Sequence, residues 1–282
     1  MRYHRYNFTL IFLMLFLLQS CAKVPLTGRR QLDLIPNESM LSMSFQQYDQ
    51  FLEENQLSKD KKTTKLVQST GLRVQRAVEQ YFAEHNLSGE LADYAWEFNL
   101  VESDEPNAWC MPGGKVVVYT GILPITRNEA GLAVVMGHEI AHAIAQHGNE
   151  RMSQGLVAQT GGMLLTKALE EKPQLTQQIW MTAFGLGAQL GVMLPYSRLH
   201  ESEADHLGLI FMAMAGYKPQ EALQFWQRMA ELKGEGAPPE FLSTHPADDT
   251  RITQLERLIP EAMEYYNRTR EELPGGKPST AP

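Results

Sequence analysis

The 282-residue chain reads as an α+β fold, mostly helical, with one small β-sheet. Three observations predict it. Apolar residues recur at helical spacing over residues 38–55 and 63–85, and residues 129–146 form a nearly all-apolar run of good helix formers. Apolar residues alternate over residues 94–101, with Trp96, Phe98 and Leu100 on one side, as in a strand. The run Val116-Val117-Val118-Tyr119 follows Gly113-Gly114 and reads as a second strand after a turn. No internal repeat is evident, and the body reads as one domain.

The elements follow in order. Arg2, His4 and Arg5 precede an apolar run over residues 8–18, and Ser20 precedes Cys21. A positive start, a short apolar stretch and a small residue before the cut make residues 1–20 a secretory signal. The run is too short to span a bilayer as a helix, which needs about 20 residues. Leu18-Gln19-Ser20-Cys21 resembles a bacterial lipobox, so Cys21 is expected to become the acylated first residue of the mature chain. Ala22 follows the cysteine rather than Asp, and resemblance to enterobacterial lipoproteins then implies the outer membrane, on its periplasmic face. Residues 21–37, with Pro25, Gly28 and Arg29-Arg30, read as a lipid-anchored tether.

The body is expected over residues 38–268. Two helices come first, broken at Asn86-Leu87-Ser88-Gly89, and then the strands. Between the strands, residues 107–111 (Asn107, Ala108, Trp109, Cys110, Met111) are extended and precede Pro112. The helix over 129–146 ends at His147-Gly148, where a histidine complements the dipole and a glycine suits a left-handed cap. Residues 155–195 carry an apolar stretch that is too short and too interrupted for a membrane span, and read as two helices joined near Pro173. Pro219 suits the start of a helix over 220–232. Asp248 or Asp249 caps a helix over 250–258. Residues 269–282, with Pro274-Gly275-Gly276, read as a disordered tail.

The chemistry is concentrated in His138-Glu139-Ile140-Ala141-His142. On a helix, positions i and i+4 share a face, so both imidazoles can reach one zinc ion and Glu139 can reach the water it activates. Those are the parts needed to hydrolyse a peptide bond. A zinc hydrolase needs a third protein ligand and an open fourth position. Glu201 and Asp205 are again i and i+4, ahead of the apolar run 207–215 that turns their face inward. Glu201 is the candidate ligand, with His200 behind it. Asp205 is placed to accept a hydrogen bond from the ring nitrogen of a zinc-bound histidine that faces away from the metal. His147, five residues past His142, lies about 140° around the helix and cannot join. Arg251 can pair with the Glu201 and Asp205 carboxylates.

Four segments together resemble a known family. They are Asn107-Ala108 with Pro112-Gly113-Gly114, Gly137 through His142, Glu201 through Asp205, and Ser243-Thr244-His245-Pro246 with Arg251. The resemblance is to the gluzincin metallopeptidases that include the type I CaaX prenyl protease, the heat-shock membrane protease and the β-barrel-assembly-enhancing protease. The chain resembles a short lipoprotein branch without the long repeat domain. The resemblance implies a zincin-like fold whose edge strand, residues 107–111, lines the active-site cleft and pairs with substrate backbone. It implies one zinc per chain on His138, His142 and Glu201. It brings His245 to the metal site, either as a donor to the oxyanion or as a fourth ligand that holds the enzyme latent. Arg198 and Tyr196 are weaker oxyanion donors.

Charge bears on partners. The net charge is −8, and removal of Arg2 and Arg5 with the signal makes it −10. With no basic stripe there is no electrostatic footprint for nucleic acid. Of the two cysteines, Cys21 is assigned to lipid, and Cys110 has no paired base and reads as a small buried hydrophobe. The expected function is a zinc metalloendopeptidase, anchored in the bacterial cell envelope through Cys21 and acting on unfolded or misassembled envelope proteins. Outer-membrane assembly machinery is the expected partner. The alternative is a zinc-containing chaperone or assembly factor with little or no proteolysis.

Overall fold

The computed structural model describes residues 21–24, 27–170, 172, 174, 177–178, 180–182, 194–232, 240–245 and 249–272. The expected signal (1–20), the junction at Pro173 and residues 273–282 of the expected tail lie outside them. The described residues form the mostly helical α+β fold with a small sheet. The chain divides into two compact units, residues 1–40 with 145–199 and residues 41–144 with 200–282, where the sequence suggested one domain.

In the first unit, β1 (Cys21–Lys23) pairs antiparallel with β2 (Arg30–Leu32). The expected tether is therefore a folded hairpin. Gly28 takes a left-handed φ of 66°, which lets the chain turn, and Val24 is fully buried. Arg29 pairs with the buried Glu150 at 2.8 Å, Leu34 N–H donates to Ser153 Oγ, and Asn149 donates to the Ile35 carbonyl. These bonds fasten the hairpin and the segment after it to the long helix His147–Leu169.

The second unit holds the sheet, in the order β3 (Glu97–Val101), β5 (Lys115–Tyr119), β4 (Ala108–Met111). β3 and β5 are parallel, and β4 is antiparallel to β5, with Ala108 opposite Val118 and Cys110 opposite Val116. β4 is thus an edge strand. Gly113 and Gly114, at φ 84° and 82°, make the turn between β4 and β5, and a Cβ on either would run into Phe45 or Trp96. Side chains alternate between faces. Trp109 and Met111 pack with Tyr48, Phe51, Val101 and Val117, against α1 (Asn37–Glu54). The opposite face meets α2 (Lys61–Glu84), where Gly71 leaves room for the Phe98 ring. Asp60 caps α2 by accepting from the Lys62 and Thr63 N–H groups.

A short helix, α3 (Leu123–Thr126), leads to α4 (Glu129–Ile144), whose first turn is capped by Asn128 accepting from Gly131 N–H. α4 is buried nearly all round, as its unbroken apolar sequence requires. It stops two residues before Gln146, which is left-handed at φ 57°, and α5 (His147–Leu169) begins at once. The expected terminator His147-Gly148 is instead the first turn of α5, because Gln146 takes the left-handed position that a glycine was expected to fill. α6 (Leu194–Met214) follows. α7 (Glu221–Glu231) presents Ala222, Phe225, Trp226 and Met229 as one buried stripe. Arg228 ties α7 to α3 by donating to the Ile125 carbonyl at 2.7 Å. The short α8 (Glu240–Thr244) precedes α9 (Asp249–Glu272). α9 runs through Pro260 rather than ending at 258, since a proline inside a helix removes a single backbone donor. Residues 269–272 of the expected tail belong to it. No helix among the described residues is long and apolar enough to cross a membrane.

Candidate metal centre

Two helices carry the candidate ligands His138, His142 and Glu201, and two glycines set their distance. A Cβ on Gly137 would lie 2.9 Å from the Gly208 carbonyl oxygen, and one on Gly208 would lie 3.0 Å from the His138 backbone nitrogen. α4 and α6 therefore cross backbone against backbone, one residue before His138. That crossing lays the Glu201/Asp205 face of α6 on the His138/His142 face of α4.

Among the described residues, His138, His142, Glu201 and His245 each offer a ligand atom, and these atoms all lie within 4.8 Å of one another. His138 Nε2 is 3.1 Å from His142 Nε2 and 3.3 Å from Glu201 Oε2, and His142 Nε2 is 3.3 Å from Glu201 Oε1. Donors about 2.0–2.1 Å from a tetrahedral zinc ion stand about 3.3 Å apart. The donor set, two imidazoles and a carboxylate at that spacing, fits zinc. His245, just past α8, adds Nδ1 at 3.2 Å from His138 Nε2 and 2.9 Å from Glu201 Oε1. His200, the other ligand candidate, is buried but lies outside this group.

The surrounding groups orient the ligands. Asp205 Oδ1 accepts from His138 Nδ1 at 3.0 Å, which turns Nε2 of that ring toward the other donors. Arg251 clasps Asp205 through Nε at 2.8 Å and Nη2 at 2.6 Å, and its Nη1 reaches Glu201 Oε2 at 3.2 Å. Trp226, which sequence reasoning missed, lies under Arg251 and edge-on to His138. Its only sequence signal was a place on the apolar stripe of α7, which any core residue shares.

Electrostatics follow from burial and pairing. Burial and the Arg251 charge oppose protonation of His138, but hydrogen bonds to Asp205 and Glu201 outweigh them and push it up to about 9. Burial also opposes ionisation of Glu201, yet hydrogen bonds from the three imidazoles hold it far below the usual carboxylate range. Asp205 is likewise buried and held low, by Arg251 and then His138. Burial raises the Glu139 carboxyl, with His245 and His138 pulling the other way. Its Oε1 is buried without a hydrogen-bond partner and lies 3.6 Å from His245 Nε2. A carboxylate so placed is ready to accept a proton from a water beside it.

Of the expected substrate strand, Ala108 to Met111 form the edge strand β4, and Asn107 precedes it with Oδ1 accepting from Ala108 N–H. Cys110 is on the face toward α4, where burial and then the Glu139 charge drive its thiol well above its ordinary pKa. A thiol raised in this way gives little thiolate at neutral pH. Trp109 and Met111 point to the other face, so β4 offers its backbone rather than those side chains. Arg198 is exposed, the Tyr196 side chain lies outside the described residues, and nothing is described of the Cys21 side chain.

The chain is similar to known peptidases. A profile of peptidase family M48 matches residues 68–259. The chain is 36% identical over 195 residues to the mitochondrial metalloendopeptidase OMA1 of Schizosaccharomyces pombe, covering 69% of this chain and 54% of that protein. It is 30% identical over 246 residues to the human mitochondrial metalloendopeptidase OMA1, covering 85% and 46%. It is 31% identical over 186 residues to the beta-barrel assembly-enhancing protease of Escherichia coli, covering 61% and 37%. The chain spans about half the length of the curated yeast relatives it matches.

These relatives overturn one expectation. A periplasmic, outer-membrane lipoprotein of a bacterial envelope was read from the first 22 residues. Relatives from yeasts, a plant and vertebrates, covering 69–94% of this chain, are named as mitochondrial and point to that setting instead. The physical reason for the error is that a short run of basic and then apolar residues does not by itself specify a compartment.

Proposed function

The chain belongs to peptidase family M48, and on that premise we propose that it is a zinc metalloendopeptidase acting on unfolded or misassembled proteins. The observation that carries the reading is Glu139, buried beside His138, His142 and Glu201 at zinc-ligand spacing. The Escherichia coli relative is named a beta-barrel assembly-enhancing protease, which supports a setting of protein assembly.

When bound by His138, His142 and Glu201, zinc supplies Lewis-acid polarisation of the scissile carbonyl and of a water. The chain's own groups do the rest. Glu139 accepts the proton of the attacking water and returns it to the leaving amine. Asp205 fixes the His138 ring, and Arg251 fixes Asp205 and Glu201. The backbone of β4 pairs with extended substrate, which folded proteins cannot present, and this favours unfolded chains as substrates.

His245 supports a second reading of the resting state. A closed set of four protein donors is the mark of a structural site, and a catalytic site keeps one position open. With His245 as fourth donor the centre would be latent. The same observation is what favours the alternative of a chaperone-like protein with little proteolysis.

The deciding experiment is Glu139→Gln. Zinc content and fold should persist while casein cleavage falls by at least about 10²-fold, the usual scale for general acid–base catalysis. Near-normal cleavage would refute the assignment. Acylation of Cys21 is part of the same proposal, with no compartment attached. A palmitate analogue should label the chain and not its Cys21→Ser variant, and an unlabelled chain removes the anchor.

A further inference from the structure

Trp226 is 1% exposed, and burial alone would account for it in most helices. What it touches suggests more. The Arg251 guanidinium carbon stands 3.2 Å from the centre of its ring. The edges of that guanidinium are occupied. Nε and Nη2 make a two-point clasp on Asp205, and Nη1 reaches Glu201. A planar cation whose edges bridge two carboxylates is still free to tilt unless something holds its face. The indole ring is that face, and Trp binds a cation better than the other aromatic rings do. The same ring meets His138 edge-on, with centroids 5.6 Å apart at 74°. Behind it, Phe241 is stacked at 5.9 Å, and Phe241 in turn lies 4.8 Å from His245. One side chain thus stands against a ligand, against the cation that orients another ligand, and one ring away from the fourth donor.

We infer that Trp226 is a positioning residue of the metal centre: its indole face holds the Arg251 guanidinium flat, and through it sets the direction of Glu201 and Asp205. The inference rests on the reading of this centre as a zinc site. It separates Trp226 from an ordinary core residue, whose loss would weaken the fold without changing the affinity of the folded protein for metal.

The test is zinc affinity of the full chain, measured by competition with a fluorescent chelator, beside the urea midpoint of each metal-free protein. Trp226→Met keeps an apolar side chain and loses the aromatic face. Its zinc affinity should fall about 10-fold, the low end for losing an outer partner of metal ligands. Trp226→Phe keeps an aromatic face and should stay closer to the parent chain. Arg251→Lys, which keeps the charge and loses the plane, should also lose about 10-fold. The double variant should lose little more than either single one, because both act through one guanidinium. A folded Trp226→Met with parental affinity, or losses that simply add, would overturn the inference. If Trp226→Met does not fold, Arg251→Lys still decides, since parental affinity there removes the group through which Trp226 is said to act. A parent chain that takes up no zinc would instead sink the underlying metal-site reading.

Discussion

His245 carries two roles that one substitution tells apart. Its Nδ1 stands 3.2 Å from His138 Nε2 and 2.9 Å from Glu201 Oε1, within the group that could hold a metal, and this favours the blocking role in the resting protein. His245→Ala should then raise basal cleavage of casein and of the chain itself. If His245 chiefly donates to the oxyanion, the rate should fall by roughly 10²–10³-fold instead. A time course of the purified variant reads the sign directly. At this scale the sequence was highly legible for His138, Glu139 and His142, because i and i+4 on one helix is a local relation. Glu201 and Asp205 were legible for the same reason. Trp226 was not, since nothing local distinguishes a tryptophan under an arginine from one in a core. The Arg251 clasp on Asp205 was only partly legible, because it joins residues 46 apart.

Helix ends and crossings were read less well, and the crossing of α4 with α6 is where an element matters most to the site. Gly208→Ala would place a Cβ 3.0 Å from backbone atoms of Gly137 and His138, which cannot swing aside as a side-chain tip can. The helices must part, at a cost of about 1–3 kcal/mol for such overpacking. Zinc affinity should fall with it, because Glu201 and Asp205 ride on the displaced helix. Gly155→Ala is the contrast. Its added Cβ meets nothing within 4 Å, so α5 should gain up to about 1 kcal/mol of helix propensity. Urea midpoints of the metal-free proteins check both, and a Gly208→Ala protein with parental midpoint and zinc affinity would refute the crossing argument. The helix ends were misplaced where the left-handed residue was Gln146 rather than a glycine. Steric preference ranks residues for that conformation, but it does not forbid it to a polar side chain.

For the molecule as a whole, the division into two units makes a prediction about metal removal. All four ligand atoms belong to residues of the unit 41–144 with 200–282. Zinc at 100 to 1,000 times its dissociation constant stabilises what binds it by about 2.7–4.1 kcal/mol. Chelation should therefore lower amide-exchange protection in α4 and in the Glu201–Asp205 turn of α6. The β1–β2 hairpin and the first turns of α5, fastened by Arg29 to Glu150 and by Asn149 to Ile35, should keep theirs. Equal loss of protection in both regions would show one cooperative block instead. The sequence alone did not reveal this division, and it read the hairpin as a loose tether. The bonds that fasten it to α5 join residues 114 to 121 positions apart.

What the sequence determined by itself was the set of local relations: helical period, strand alternation, and ligands one turn apart on each of two helices. Those depend only on the 3.6- and 2-residue repeats of the backbone, which neighbouring residues impose on one another. The edge position of residues 107–111 and the arrival of His245 and Arg251 at the site were expected only through the family resemblance. The tertiary structure alone decided how close the two ligand helices approach. It also decided that Trp226 lies beneath the guanidinium. These are distances between segments far apart in the chain, set by what can pack where two glycines leave room, and no local pattern encodes them.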